Sequence, residues 1–144
     1  MVADKTICLA GYGKKFHGFH NRAWESALGN IHLSCYLNPN AESSHIGLSF
    51  TMLAAVSVIE TLDSIEELKN KAQIKWINDI IINDSKICGV IAHNQIQGNK
   101  ITDAILGIGL NVAKAPTINP TSFIRKTTSI NNECQQKRDI AKIT

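Results

Sequence analysis

The chain has 144 residues, of which 44% are hydrophobic and 19% charged, a composition typical of one folded globular domain and unlike that of disordered chains. Its formal net charge of +3 is too small an excess to indicate a nucleic-acid-binding protein. Because the N-terminus has no apolar signal segment and no stretch contains the roughly 20 apolar residues of a membrane span, we expect a cytoplasmic protein without a membrane partner.

The first predicted elements are two strands separated by a long loop. An apolar run at residues 7–9 predicts a strand that ends at Gly11, and the glycine-rich basic segment from there to Asn30 predicts the loop. Alternating apolar and polar residues in Ile31–Leu37 predict a half-buried strand, which a turn at residues 38–40 closes.

A single long helix is predicted next, over residues 45–68, with Ser43 or Ser44 as its cap. Apolar residues at three- and four-residue steps predict its buried face: Ile46, Phe50, Leu53, Ala54, Val58 and Leu62. Four strand-like pieces follow, with turns at 83–84 and 98–99: residues 73–76, 79–82, 87–92 and 101–112. This order predicts an α+β domain, a mixed β-sheet packed by helices on one face.

The four cysteines predict neither a zinc site nor a required disulfide. Cys8, Cys35, Cys88 and Cys134 lie far apart, without a Cys-x-x-Cys pair or a histidine at ligand spacing. We therefore expect free thiols and no protein-bound metal.

Two features of the first loop could bind an anion. Gly11-Tyr-Gly13-Lys14-Lys15 combines close backbone approach with two ammonium groups, as phosphate-binding loops do, although the same glycine spacing also occurs in plain turns. Arg22 and Trp24 follow, and they could contact a ligand or form an ordinary solvated and packed pair.

Two further features lie in the predicted strands. Lys75 opens Lys-Trp-Ile-Asn78-Asp79, and a lysine in an apolar strand either points outward at a sheet edge or has a functional partner. Gly107-Ile-Gly-Leu-Asn111 leaves room for a ligand or another strand against its backbone. Asn111 could hydrogen-bond a ligand, although by itself it favours a turn cap.

In this order, these segments resemble the biotin protein ligases of the biotin/lipoate ligase superfamily, which share the fold of class II aminoacyl-tRNA synthetases. The resemblance rests on a glycine and basic loop, Arg-x-Trp-x-Ser, Gly-Asn, Lys-Trp-x-Asn-Asp, Lys-x-x-Gly-Val and Gly-Ile-Gly-x-Asn. It implies that ATP, with Mg²⁺, activates biotin to biotinyl-adenylate, and that a lysine of a biotin carboxyl carrier protein accepts the biotinyl group. It is also compatible with a homodimer.

The resemblance also implies roles for individual residues. Lys75 would bridge the biotin carboxyl and the phosphate, while Lys14, in the loop of Gly11, Gly13 and Lys15 with Arg22 nearby, would hold the adenylate phosphate. Asp79, next to Asn78, would lie near the metal and the acceptor lysine. Asn111 would lie near the adenine. Gly89 and Val90 would line the biotin pocket through their backbone.

Some positions differ from the family pattern. Cys8 occupies the place of a biotin-binding glutamine, Ile77 that of a proline, and His93 that of a glutamate. The family's preceding segment and following β-barrel are not represented, so we expect a partial catalytic domain over residues 1–123 and a loosely ordered tail over 124–144. The alternative is a non-catalytic ligase fragment that serves as a ligand-binding or interaction module.

Overall fold

A β-sheet with one long helix against it forms the body of the protein. The computed structural model describes residues 2–18, 23–42, 48–121 and 124–139. In chain order, the described elements are β1 (Thr6–Ala10), β2 (Phe16–His17), β3 (Ala23–Trp24), β4 (Ile31–Leu37), β5 (Ala41–Glu42), α1 (Ser49–Asp63), β6 (Gln73–Lys75), β7 (Asp79–Ile82), β8 (Ser85–Gln97), β9 (Lys100–Leu110) and α2 (Ile130–Glu133). A short 3-10 turn at Glu66–Leu68 lies between α1 and β6.

Seven of the described strands form the main sheet, in the order β1-β4-β9-β8-β7-β6, with β5 also paired to β9. The strand pairs are antiparallel, and a parallel bridge from Lys86 to Thr127 makes the sheet mixed. Both predicted hairpin turns are confirmed, since Asn83, Asp84 and Gly98 adopt the positive φ that tight hairpins require. The predicted α+β class is therefore confirmed.

Helix α1 covers one face of the sheet, against β7, β8 and β9. Its buried residues are Phe50, Ala54, Ala55, Val58 and Leu62. The prediction that Leu53 is buried is wrong, because its side chain is 50% exposed. Residues four apart advance by about 40° around a helix, so the buried row drifts toward Ala55 and away from Leu53.

The helix is also shorter than predicted. It ends at Asp63, and buried Leu68 belongs to the separate 3-10 turn. The predicted start at residue 45, the Ser43 or Ser44 cap and Ile46 lie outside the described residues. None of the described helices combines the length and apolar character needed to cross a bilayer.

The segment after residue 124 packs more closely than a loose tail. The Lys86 backbone N–H donates to Lys126 and the Thr128 N–H donates to Lys86, at 2.9 and 2.8 Å. Ile130 is fully buried. Hydrogen bonds to the β8 backbone and one apolar anchor therefore hold this part of the predicted tail, whereas the domain boundary at residue 123 stays a prediction.

Candidate active site

The sheet face opposite α1 carries a row of residues that crosses six strands. Directly paired residues of antiparallel strands share a face, so their side chains project together. The strand register gives this row, from β6 to β1: Lys75, Asp79, Gly89, Gly109, His32 and Ala10. Two adjacent glycines at its centre leave a depression in the face between polar neighbours.

A cavity of about 240 Å³ occupies this depression. Gly89 and Gly109 line it, and so do Phe16 and Trp24 of the β2–β3 hairpin, whose indole covers part of the glycine floor. A Cβ at Gly109 would lie 2.3 Å from Trp24 Cζ2, and one at Gly89 would lie 2.9 Å from Trp24 Cζ3. The indole therefore rests on the bare backbone of both glycines, which explains why both positions lack a side chain.

Adding a methyl group at Gly109 is expected to damage this cavity. In a Gly109→Ala variant the indole must move, and we expect a loss of about 1 to 3 kcal/mol of stability, the usual cost of overpacking. Thermal unfolding measures this loss. A Gly11→Ala variant is the matched control, because its Cβ meets no atom within 4 Å; equal stability of the two variants would contradict the described packing.

Lys86 supplies the cation at the cavity. Its Nζ lies 2.5 Å from Asp79 Oδ1, 5.1 Å from the centre of a Trp24 ring and 3.1 Å from the Cβ position of Gly89. The Lys86 and Asp79 side chains are 19% and 17% exposed. Restricted solvent access strengthens the field of such a group on a bound anion.

A β-bulge between β7 and β8 turns the Lys86 side chain toward the cavity face of the sheet. Strict alternation counted from Gly89 would direct Lys86 toward α1. Instead Ile80 pairs with Cys88 and Ile81 pairs with Lys86, so Ile87 is the extra residue of the bulge. Such an insertion shifts the following side chains to the other face, and Lys86 thereby shares a face with Asp79.

His32 is another polar side chain of the cavity lining, and it is 8% exposed. Its ring lies 5.1 Å from the Phe16 ring, centre to centre. Burial lowers the pKa of His32 below its usual value, against an opposing hydrogen bond to the Ala27 backbone. The imidazole is therefore neutral at pH 7.

A pair of buried asparagines secures the ends of the strands that frame the cavity. Asn30 Oδ1 accepts hydrogen bonds of 3.1 Å from the backbone N–H groups of Val112, Ala113 and Lys114. Asn30 Nδ2 donates to Asn111 Oδ1 at 3.3 Å, and Asn111 Nδ2 donates to the Thr128 carbonyl at 3.0 Å. Both ends of the Asn111 amide are thus engaged within the protein.

The structure brings together part of the predicted site. The predicted residues that line the cavity are Trp24, Asn78, Gly89 and Val90. Asp79 forms an ion pair with Lys86, which also lines it. Arg22 lies outside the described residues. The remaining predicted residues lie away from the described lining: Gly11, Gly13, Lys14, Lys15, Lys75 and Asn111.

The first loop is open to solvent where the anion site was predicted. Lys14 and Lys15 are exposed. Gly13 has a packing role, since a Cβ there would lie 2.2 Å from Phe16 Cζ. Its carbonyl also accepts a 2.7 Å hydrogen bond from the Ser26 hydroxyl, which ties the loop to the segment after β3.

Sequence reasoning did not assign Lys86, His32 or Phe16 to the site. Lys86 stands in the Lys-x-x-Gly-Val segment that supported the family resemblance, but the bridging role went to Lys75. His32 could have been found from the alternation of Ile31–Leu37. It occupies a polar position of that strand, and the polar positions face away from the core. Phe16 carried no comparable signal within its loop.

Histidine, cysteine and acidic side chains are the usual ligands of protein-bound metal ions. In the part of the chain that the structure describes, no group of three or more His, Cys, Asp or Glu side chains could hold a metal ion. The four cysteines are free, as expected, and Cys8 lies at the cavity while Cys88 and Cys134 are buried. Burial raises the pKa of the Cys88 thiol strongly, so this thiol is protonated at neutral pH.

Comparison with known proteins finds consistent similarities. The model of the Biotin/lipoate A/B protein ligase family matches residues 4–111. The Bifunctional ligase/repressor BirA of Bacillus subtilis is 32% identical over 142 residues, which are 98% of this chain and 41% of that protein. The Biotin--[acetyl-CoA-carboxylase] ligase of Paracoccus denitrificans is 26% identical, over 75% of this chain and 42% of its own. The chain thus spans about four tenths of these relatives.

Solved structures have the same fold. The biotin protein ligase from Aquifex aeolicus in complex with biotin and ATP superposes with a TM-score of 0.75 and 26% identity, over 99% of this chain and 57% of that one. The biotin protein ligase from Leishmania major in complex with biotinyl-5-AMP gives 0.71 at 22% identity, over 90% of this chain and 54% of its own, which supports the fold alone.

Proposed function

The chain belongs to the biotin/lipoate A/B protein ligase family, and from that premise we propose that it activates biotin with ATP and transfers the biotinyl group to a carrier-protein lysine. Relatives named as biotin ligases, and a structural neighbour solved with biotin and ATP, support biotin and ATP as the substrates. Biotin carboxyl carrier protein is the proposed acceptor, and the cytoplasm is the proposed compartment.

The observation that carries this proposal is a largely apolar cavity with one cation at its edge. Formation of biotinyl-adenylate requires the biotin carboxylate to attack the α-phosphate of ATP and displace pyrophosphate, so two anions must approach each other; the carrier lysine then displaces AMP from the adenylate. The Lys86 ammonium, on the same face as the Gly89–Gly109 floor, would attract both anions and stabilise the negative charge that develops on the phosphate. The cavity beside the Trp24 indole would hold the biotin rings.

We assign Lys86 the bridging role that the family resemblance had given to Lys75. Lys75 lies in the same row of the sheet but two strands from Gly89, about 10 Å at ordinary strand spacing. Asp79 then acts as a positioning residue, since its carboxylate holds the Lys86 ammonium beside the glycine floor.

The nucleotide would lie toward the first loop. Gly11, Gly13, Lys14 and Lys15, with Arg22, remain the proposed phosphate-binding segment, and Mg²⁺ would arrive with ATP. Binding of the triphosphate would have to order the exposed lysines around it. Asn111, whose amide is engaged within the protein, would position this region by its contacts with Asn30 and Thr128.

A direct assay tests the proposal. We expect the protein, incubated with ATP, Mg²⁺, biotin and a biotin carboxyl carrier domain, to produce biotinylated carrier detectable by streptavidin blotting and mass spectrometry. A carrier domain with its acceptor lysine replaced by arginine is the control, and it should stay unmodified while adenylate still forms. Biotin binding without any adenylate would favour the non-catalytic module. If the protein neither binds biotin nor forms product, both readings are refuted.

Sedimentation with and without biotin tests the proposed homodimer.

A further inference from the structure

Two buried nitrogen atoms in residues of the cavity lining have no hydrogen-bond partner among the described residues. They are Trp24 Nε1 and His32 Nε2. A buried polar atom without a partner costs free energy, so native proteins rarely retain one without a reason. Both residues belong to the cavity, which makes a bound molecule the natural partner.

The two side chains are neighbours of the same glycine, Gly109. Trp24 Nε1 is 3.0 Å from the Cβ position of Gly109. His32 is the register partner of Gly109, so its side chain projects from the same face on the next strand. One small polar group in the cavity, beside the indole and next to Gly109, could therefore contact both side chains.

Their hydrogen-bonding characters are complementary. The indole nitrogen is always a donor. The imidazole is hydrogen-bonded to the Ala27 backbone, and because Nε2 is the nitrogen without a partner, Nδ1 makes that bond. A neutral ring with its proton on Nδ1 presents Nε2 as an acceptor.

We propose that Trp24 Nε1 and His32 Nε2 form a donor–acceptor pair that recognises the cyclic urea of biotin. The indole N–H donates to the urea carbonyl oxygen, and His32 Nε2 accepts from one urea N–H. This inference rests on the proposed function and deepens it by naming the residues that determine selectivity for the ring.

The position of the pair fits the shape of the substrate. His32 lies two strands from Gly89, beside which the Lys86 ammonium sits, and two strand spacings are about 10 Å. Biotin carries its carboxylate and its urea at opposite ends, separated by the valerate chain and the bicycle. The carboxylate would thus meet Lys86 while the urea meets Trp24 and His32.

Two matched substitutions test the role of His32. In His32→Gln the side-chain carbonyl can reach the place of Nε2, whereas in His32→Asn it reaches only the place of Nδ1 and leaves the cavity without an acceptor. Calorimetric titration with biotin is expected to give a Kd that rises at least about tenfold for His32→Asn, and about threefold or less for His32→Gln.

A ligand series separates recognition from a merely structural role. In the two cyclic carbamate analogues of biotin, oxygen replaces one or the other urea N–H. The unaltered protein is expected to bind one analogue about tenfold more weakly than the other, and His32→Asn is expected to lose that discrimination. Because each ratio is measured within one protein, partial unfolding of the variant does not imitate the result.

The outcomes distinguish failure of urea recognition by Trp24 and His32 from failure of the proposed function. The inference is overturned if His32→Asn still discriminates between the two carbamate analogues, or if the unaltered protein, His32→Gln and His32→Asn bind biotin with equal affinity. Either result leaves the proposed function standing. An unaltered protein that binds neither biotin nor biotinyl-adenylate overturns the proposed function, and the inference falls with it.

Discussion

Replacing Lys86 with methionine is expected to slow biotinyl-adenylate formation by about 100- to 1,000-fold, the usual effect of removing one group that stabilises developing charge. Methionine retains most of the length of the side chain and can still pack against Trp24, but it has no charge. The carboxylate and the phosphate then lose the cation at the cavity edge, and Asp79, whose partner it was, adds repulsion. Single-turnover formation of the adenylate, measured at saturating ATP and biotin, reports this step.

Lys75→Met is the matched control, because it removes the same charge two strands away in the same row of the sheet. We expect a decrease of less than about tenfold, as for a charge that acts only at a distance through solvent. A larger loss in Lys75→Met than in Lys86→Met would restore the bridging role to Lys75. Thermal unfolding of both variants verifies that the rates refer to folded protein.

Replacing Asn30 with alanine is expected to destabilise the protein by about 2 to 4 kcal/mol, among the largest effects of a single polar side chain. The substitution leaves the buried Val112 N–H without an acceptor and removes a bond from each of Ala113 and Lys114. It also removes the donor to Asn111. Urea denaturation, with the slope held to that of the unaltered protein, measures the loss.

Asn132→Ala serves as the control for this prediction. Asn132 is an exposed residue of α2 whose recorded hydrogen bond is made by its backbone, so we expect a change within about 0.5 kcal/mol. Similar losses in the two variants would show that the Asn30 bridge does not stabilise the fold. Because Asn30 anchors the chain after β9, its loss is also expected to loosen the Asn111–Thr128 connection to the C-terminal segment.

Those parts of the fold that depend on local chemistry could be predicted from sequence. The alternation of Ile31–Leu37 gave a strand with those limits, and the Asn83-Asp84 and Gly98 turns gave both hairpins. The strand depends on the alternation of side chains between the two faces of a sheet, and the turns depend on backbone conformations that only a few residue types readily adopt. The order of the short motifs along the chain then identified the family, because matching motifs in order requires no knowledge of how far apart they lie in space.

The tertiary structure alone decided which of these residues meet. Trp24 lies over Gly89 and Gly109 because three distant segments converge, and spacing along the chain contains no information about that convergence. Asn30 and Asn111 are 81 residues apart yet bridge each other. The segment around Ile130 is held by backbone hydrogen bonds to β8 and by one buried side chain, too little apolar sequence to predict a docked element.

The choice between Lys75 and Lys86 is the sharpest example. Both are lysines at the ends of strands, and the family resemblance read from the sequence assigned the bridging role to Lys75 alone. The bulge at Ile87 reverses the facing of Lys86 and places its ammonium at the cavity. A strand has a side-chain period of two, so one inserted residue exchanges the faces, and only the pairing of β7 with β8 reveals where that insertion lies.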